Sequence, residues 1–190
     1  MLQLNFDPFP VLQTDRLILR AIGRADVEDL FMFRGNTQAM KYIGKPVLTN
    51  IGEVQGLIEG YQEHVRLNRG IIWGITLKKK HRLIGTIGFH RIEVENSRAE
   101  IGYILRPDYW QKGIMHEALD RVIEYGFEEL HFHSLEARIH PDNLASAGIL
   151  LKNGFVKEAY FKEAFYADGQ FQDTEVYSRL SEVNLSGGLN

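Results

Sequence analysis

The stretch from Glu100 to Leu119 is the part of this sequence whose spacing most clearly points to chemistry. It reads as a strand, a turn with Gly113 at its end, and the start of a helix. A helix start leaves unpaired amide groups and a partial positive charge, which favour an anion, above all a phosphate. An ordinary tight turn has the same spacing and is the alternative. The glycine loops of P-loop and dinucleotide-binding proteins are absent, which excludes those nucleotide sites.

Three further polar side chains could take part in catalysis or binding. Strand alternation puts Glu100, Gly102 and Ile104 on one face, so Glu100 is a candidate general base for a substrate on that face. An ion-paired strand carboxylate is the alternative. Asn143 and Ser146 stand at a predicted helix start, where Asn is an ordinary N-cap and Ser an ordinary first-turn residue.

Two other groups of residues are interpreted as structural. His131, His133 and His140 recur near one strand, but neither a His-x-x-x-His spacing nor an acidic partner accompanies them. The sequence therefore predicts no metal site. The basic run from Lys78 to Arg82 lies between two predicted strands and is typical of a solvated hairpin turn.

Hydrophobic periodicity and cap residues predict the elements that position these side chains. Strands are predicted at residues 15–21, 71–76, 83–90, 99–105, 134–139, 155–165 and 171–180, and helices at 24–33, 51–65, 114–130 and 144–152. Asn50 is the expected cap of the second helix, Asn153-Gly154 closes the last helix, and Asp168-Gly169 is a hairpin-type turn. This order predicts an α+β domain whose sheet is covered by helices.

Length and composition predict a single domain over residues 1–190. The chain has 190 residues, of which 44% are hydrophobic and 25% charged, as in ordinary folded proteins. A net charge of -3 offers no basic field, so we expect no nucleic-acid partner. The absence of cysteine excludes disulfides, thiolate zinc sites and a cysteine nucleophile. No leader-like start and no apolar run of about 20 residues is present, so we expect a cytoplasmic protein with no membrane partner.

Residues spread over most of the chain match a known family pattern in order and spacing. The central ones are Gly102-Tyr103, Pro107, Tyr109-Trp110, Lys112-Gly113 and Glu117-Ala118-Leu119. Others are the segment from Thr14 to Arg20, Glu136-Ala137, Asn143, Ser146 and the segment from Leu151 to Phe155. Together they resemble the GNAT N-acetyltransferases, in particular the branch of the ribosomal-protein N-terminal acetyltransferases. The resemblance covers a core from about residue 12 to 180.

The resemblance implies a mixed, mostly antiparallel sheet of about seven strands flanked by about four helices, with acetyl-CoA as donor and no metal. In the family the strand with Tyr103 splays from the next parallel strand, and the pantetheine arm bonds to the backbone of Ile104 and Leu105. The pyrophosphate is expected at the amides of Gln111, Lys112, Gly113, Ile114, Met115 and His116. Asn143 is expected against the pantetheine, and the Ser146 hydroxyl is expected to protonate the departing thiolate.

Three residues depart from the motif. Where this branch usually has a glycine, a small residue and a threonine, this sequence has Gln111, Met115 and His116. Backbone amides do the binding, so these changes need not abolish it, but we expect the bulk of Met115 to narrow the pocket. His116, beside a phosphate, could donate a hydrogen bond.

The implied reaction is acetyl transfer to a primary amine by direct attack in a ternary complex, with Glu100 as base, directly or through water. An α-amine, with a pKa of about 7.7 to 8.0, is partly neutral at pH 7, whereas a lysine amine at about 10.4 is almost wholly charged. A protein N-terminus is therefore the favoured acceptor partner.

Two alternatives stay open at this point: a small amine acceptor such as a polyamine, amino sugar or antibiotic, and a CoA-binding module without catalysis. An open groove would favour a peptide and a closed acidic pocket a polyamine, with walls expected near Phe33, Tyr42 and Tyr166. The family is often dimeric, so a homodimer is a further expectation, although no exposed patch can be read from the sequence.

Overall fold

The computed structural model describes residues 2–167 and 169–182. Eight strands form one sheet: β1 Leu12–Gln13, β2 Leu17–Arg20, β3 Ile71–Leu77, β4 Lys80–Glu93, β5 Arg98–Leu105, β6 Ser134–Ile139, β7 Val156–Ala167 and β8 Gln170–Leu180. The α-helices are α1 Val27–Arg34, α2 Thr37–Met40, α3 Ile51–Arg66, α4 Ile114–Glu128 and α5 Leu144–Lys152. Short 3-10 turns precede α1 and α4.

The sheet order is β1-β2-β3-β4-β5-β6-β8-β7, and β5 with β6 is its parallel pair. The other neighbours are antiparallel. The α+β prediction and the mostly antiparallel sheet are therefore confirmed. The extra strand is the two-residue β1, and the extra helix is α2, which is capped by the Asn36 side chain. Both elements are too short to show a periodic pattern in the sequence.

Helices cover both faces of the sheet. On one face α4 packs over a core that contains Trp73, Phe89 and Phe132, all at most 1% exposed. On the other face α1 and α3 bury a second apolar cluster that includes Phe33 and Ile58. Side chains of one strand alternate between these two cores, and this alternation fixes which residues can face a ligand on each side.

Local cap signals set several element ends. The Asn50 and Asn143 side chains accept hydrogen bonds from the third residue beyond them, so they are the N-caps of α3 and α5. The first predicted helix starts with a 3-10 turn, and β4 begins at Lys80, so the basic run lies partly in that strand. In the predicted β7–β8 turn, Gly169 has a φ of 81°, and Asp168 lies outside the described residues.

Candidate active site

The parallel strands β5 and β6 separate just beyond Glu100. They pair at three positions: Arg98 with Ser134, Ala99 with Leu135, and Glu100 with Glu136. Farther on, β5 stays paired with β4 as far as Leu105, and β6 stays paired with β8 as far as Ile139. Each strand is thus held by its outer neighbour while a gap opens between them. This is the splay that the resemblance implied, and it leaves backbone groups along the gap available to an extended ligand.

A glycine holds the β4 side of this gap in place. A Cβ atom at Gly85 would lie 2.5 Å from the carbonyl oxygen of Ile104 and 3.2 Å from the Cα of Leu105. Only a residue without a side chain allows β4 to approach β5 this closely. Close contact with β4 therefore holds the backbone of Ile104 and Leu105, which is predicted to bind the pantetheine.

The turn before α4 leaves the first turn of that helix open. Gln111 and Gly113 both have left-handed φ angles, 57° and 70°, and, in the part of the chain that the structure describes, no side chain caps the helix at Gly113. The free amides and the positive end of the helix dipole favour an anion here. Met115 is only 5% exposed and packs into the core. Its effect on the width of the pocket stays a prediction.

Arg16 adds a cation beside this helix start. Its Nε donates to Glu117 Oε2 at 2.5 Å, and its Nη1 donates to the carbonyl oxygen of Lys112 at 2.9 Å. Burial raises the pKa of the Glu117 carboxyl, but hydrogen bonds from Thr14 and Arg16 and the charge of Arg16 lower it overall. The sequence placed Arg16 only in an opening strand, because its partner lies 101 residues away and leaves no local signal.

His116 is held by a buried asparagine that the sequence had placed only at a helix end. Asn153 Nδ2 lies 2.8 Å from the carbonyl oxygen of Ile149 and 2.8 Å from His116 Nδ1. A carbonyl can only accept, so the amide nitrogen faces it and also donates to the ring. His116 Nδ1 is then the acceptor, and its exposed Nε2 carries the proton.

Glu100, Asn143 and Ser146 line one cavity of about 520 Å³, beside the splay. Ser146 N donates to Asn143 Oδ1 at 3.2 Å, which seats Ser146 in the first turn of α5. The Tyr103 hydroxyl is also buried, and within the described residues it has no partner at hydrogen-bond geometry. Burial raises the pKa of Tyr103 to about 12, and the neighbouring Ser146 hydroxyl offsets part of this rise. The structure thus brings two hydroxyls and one carboxylate to the same space.

Glu100 has hydrogen-bond partners on both sides. Its Oε1 lies 3.1 Å from His90 Nε2, and its Oε2 accepts from Arg91 Nη1 at 2.8 Å, with Arg138 Nε at 3.8 Å. Burial alone would raise its pKa, but the His90 hydrogen bond and the charges of Arg91 and Arg138 lower the pKa overall. The His90 ring has room here because its neighbour is Gly102, where a Cβ atom would lie 2.8 Å from the ring. The sequence reasoning missed His90 because the β4–β5 register that sets it opposite Glu100 cannot be read locally.

The expected walls of the acceptor groove are only partly found. Tyr42 lines the cavity and stacks on His140, with ring centroids 5.3 Å apart. Phe33 is completely buried in the core, and Tyr166 is 64% exposed and packs edge-on against Phe171. His140 also bonds to Gln172 at 2.9 Å.

Two kinds of feature are absent from residues 2–167 and 169–182. No group of three or more His, Cys, Asp or Glu side chains there could hold a metal ion. No helix there is both long and apolar enough to span a bilayer.

Comparison with known proteins decides the family. The GNAT acetyltransferase domain matches residues 16–156. The chain belongs to this family. It is 39% identical over 170 residues to the Bacillus subtilis N-acetyltransferase YoaA, covering 90% of this chain and 96% of that protein. It is 32% identical over 174 residues to the Escherichia coli ribosomal-protein-serine acetyltransferase, covering 88% and 94%.

A solved structure shares the fold of this GNAT chain. The spermidine N-acetyltransferase of Vibrio cholerae, in complex with CoA and spermine, superposes with a TM-score of 0.78 at 24% identity, over 88% of this chain and 97% of that one. The chain is thus an acetyl-CoA-dependent N-acetyltransferase, as the sequence predicted. The splayed strands and the uncapped α4 start fit an acyl-CoA, since they offer free backbone groups and a positive end.

Proposed function

We propose that this enzyme acetylates the α-amine of a protein N-terminus by direct attack in a ternary complex. The observation that carries the proposal is the charge of the cavity beside the splay. Its one carboxylate, Glu100, is already bound to His90 and Arg91. A polyamine or aminoglycoside brings several positive charges and would find no free carboxylate in the described cavity lining. The Escherichia coli relative named for a ribosomal-protein serine adds support.

On the donor side, we propose the sites expected from the sequence. The backbone of Ile104 and Leu105, at the end of β5 where it no longer pairs with β6, would bind the pantetheine, with Asn143 at the start of α5 on the other side of the cavity. The amides from Gln111 to His116, with the Arg16 guanidinium beside them, form the anion site. Acetyl-CoA, when bound, supplies a thioester carbon for the amine to attack.

For the base, we propose that Glu100 acts together with His90. The lowered pKa keeps the carboxylate ionised and makes it a weak proton acceptor by itself. A carboxylate only accepts hydrogen bonds, so His90 Nε2 carries the proton of their 3.1 Å contact and Nδ1 keeps a free lone pair. A neutral imidazole is a common general base in enzymes. Glu100 thereby orients the ring, and His90 takes the proton of the amine, directly or through water.

We propose that Ser146 is the general acid and that Tyr103 returns a proton to it. Both line the cavity, and the Tyr103 hydroxyl, with its pKa raised by burial to about 12, stays protonated at neutral pH. A protonated phenol beside Ser146 can restore the proton that the serine hydroxyl gives up.

Steady-state acetylation of a synthetic serine-start peptide tests the proposal. We expect Glu100→Gln to lower kcat by about 10²- to 10⁴-fold, the usual range for general acid–base catalysis, with little change in acetyl-CoA affinity. Ser146→Ala should slow transfer, and Glu128→Gln, an exposed change at the end of α4, is the matched control.

Four results would contradict these proposals. Unchanged turnover of Glu100→Gln would remove Glu100 from the mechanism, and wild-type rates of Ser146→Ala across pH would leave Tyr103 or a water as the donor. Faster acetylation of spermidine than of any peptide would overturn the proposed acceptor. Acetyl-CoA binding without CoA release over a broad amine panel would support the non-catalytic module instead. The cytoplasmic location and the homodimer remain predictions.

A further inference from the structure

Two cationic side chains of the cavity lining are unpaired among the described residues. Arg34, the last residue of α1, and Lys45, in the loop before α3, both line it. Within the described residues neither forms a salt bridge, and the Arg34 Nε is buried with no hydrogen-bond partner. A buried donor that loses its water without gaining an acceptor costs free energy. An acceptor group of a bound ligand is the natural partner of Arg34, and the exposed Lys45 ammonium can contribute a second charge to it.

The other charges around the cavity offer no spare anion. Glu100 is shared by His90, Arg91 and Arg138, as described above. Glu136, the next carboxylate, is 5% exposed and is held by Arg98 and Arg138. Among the described residues, the cavity lining therefore has three cations, Arg34, Lys45 and Arg138, against one carboxylate. Its net charge is +2 with the histidines neutral.

These cations do not belong to the proposed phosphate site. That site is the start of α4, and, among the residues that the structure describes, none from Gln111 to His116 lines this cavity. Arg34 lies near Tyr61 of α3, whose pKa is raised by burial and lowered by the Arg34 charge. The unpaired guanidinium is therefore on the helical wall of the cavity, where α1 and α3 pack together.

We infer that the preferred acceptor is a protein N-terminus with a carboxylate side chain in its first few residues, bound by Arg34 and Lys45. This inference rests on the proposed function and narrows it to a substrate class. A cavity of 520 Å³ is about 10 Å across if it were spherical, and an extended chain advances about 3.3 to 3.6 Å per residue. An acidic side chain that reaches these cations while the amine lies at Glu100 and Ser146 therefore falls within about the first three residues.

Matched peptides test the inference. Three synthetic peptides of equal length start with serine and carry two aspartates, two asparagines or two lysines at positions two and three. We expect kcat/KM to fall in that order, with the aspartate peptide ahead of the asparagine peptide by about tenfold or more, as one charged hydrogen bond can provide. Arg34→Gln should lower kcat/KM for the aspartate peptide by about 10-fold or more and leave the asparagine peptide within about threefold.

Two further variants serve as controls. Arg34→Lys retains the charge and should retain the preference, so it separates a charge effect from a folding defect. Arg24→Gln removes an exposed arginine before α1, away from this cavity, and should behave as wild type. Equal rates for the aspartate and asparagine peptides would overturn this inference alone. Acetylation of none of the peptides by an enzyme that binds acetyl-CoA would overturn the proposed function as well.

Discussion

Replacing Asn153 by leucine should weaken CoA binding without destabilising the protein. The side chain is 4% exposed and donates to His116 Nδ1, so that Nε2 carries the proton of the neutral ring at the start of α4. If that N–H donates to a phosphate, the bond is charge-assisted and worth about 1.5 to 3 kcal/mol. His116→Ala should therefore raise the Kd for CoA by about 10- to 100-fold. Asn153→Leu should raise it at least about twofold, the lower end of coupling between contacting residues.

The stability cost of Asn153→Leu should be close to zero because opposing effects cancel. The change removes two hydrogen bonds of 2.8 Å, each worth about 0.5 to 1.5 kcal/mol. It also removes the buried Asn153 Oδ1, which has no hydrogen-bond partner among the described residues. Burying such an unpaired acceptor lowers the stability of the folded protein by about 1 to 3 kcal/mol, so its removal is favourable. The Ile149 carbonyl keeps the bond from the backbone N–H of Asn153 at 3.1 Å. The melting temperature should therefore change by no more than about 2 to 4 °C, the equivalent of about 1 kcal/mol at this size.

Calorimetric titration of CoA into both single variants and the double variant measures the coupling. Asn153→Leu should have no further effect once His116 is alanine, because its influence passes through the ring. The reasoning is refuted if Asn153→Leu binds CoA like the wild type, or if its effect is equally large in the His116→Ala background.

The remaining predictions concern stability. Asp26 is 5% exposed, and its pKa, raised by burial, is lowered overall by bonds from Arg20 and from Gly23 N. Because the pKa is lower in the folded state, the wild type keeps this stabilisation above about pH 4 and loses it as the pH falls further. Asp26→Asn should therefore lower the free energy of unfolding at pH 7, measured in urea, by about 1 to 3 kcal/mol. The stability of the variant should also fall less steeply than that of the wild type as the pH is lowered below about 4. Gly113 has a φ of 70°, so Gly113→Ala should lower the free energy of unfolding by about 1 to 2 kcal/mol and lower the thermal midpoint. An unchanged midpoint would contradict this prediction. Gln111→Gly, at 57°, should stay within about 1 kcal/mol of the wild type in the same melts, because relief of strain is offset by the flexibility of glycine in the unfolded chain.

The sequence by itself determined the elements and the chemistry that rest on local signals. The predicted bounds of β6 and α5, residues 134–139 and 144–152, agree with the structure because Asn143 caps the helix and Asn153-Gly154 ends it. Short-range periodicity in the same way predicted the three middle strands, and Gly113 marked the turn that precedes the uncapped start of α4. Elements of two to four residues, such as β1 and α2, carry too few positions for periodicity and were missed.

Only the tertiary structure decided which side chains meet. The pairing of Glu100 with His90 follows from strand register, and the Asn153–His116 contact joins residues 37 positions apart. The unpaired state of Arg34 in the cavity depends on how α1 packs against α3 and the sheet. Hydrogen bonds and ion pairs between elements depend on distances of a few ångströms that are set by packing, and neighbours along the chain do not encode them. The family and the reaction could thus be read from the sequence, whereas the charge of the cavity beside the splay could be read only from the fold.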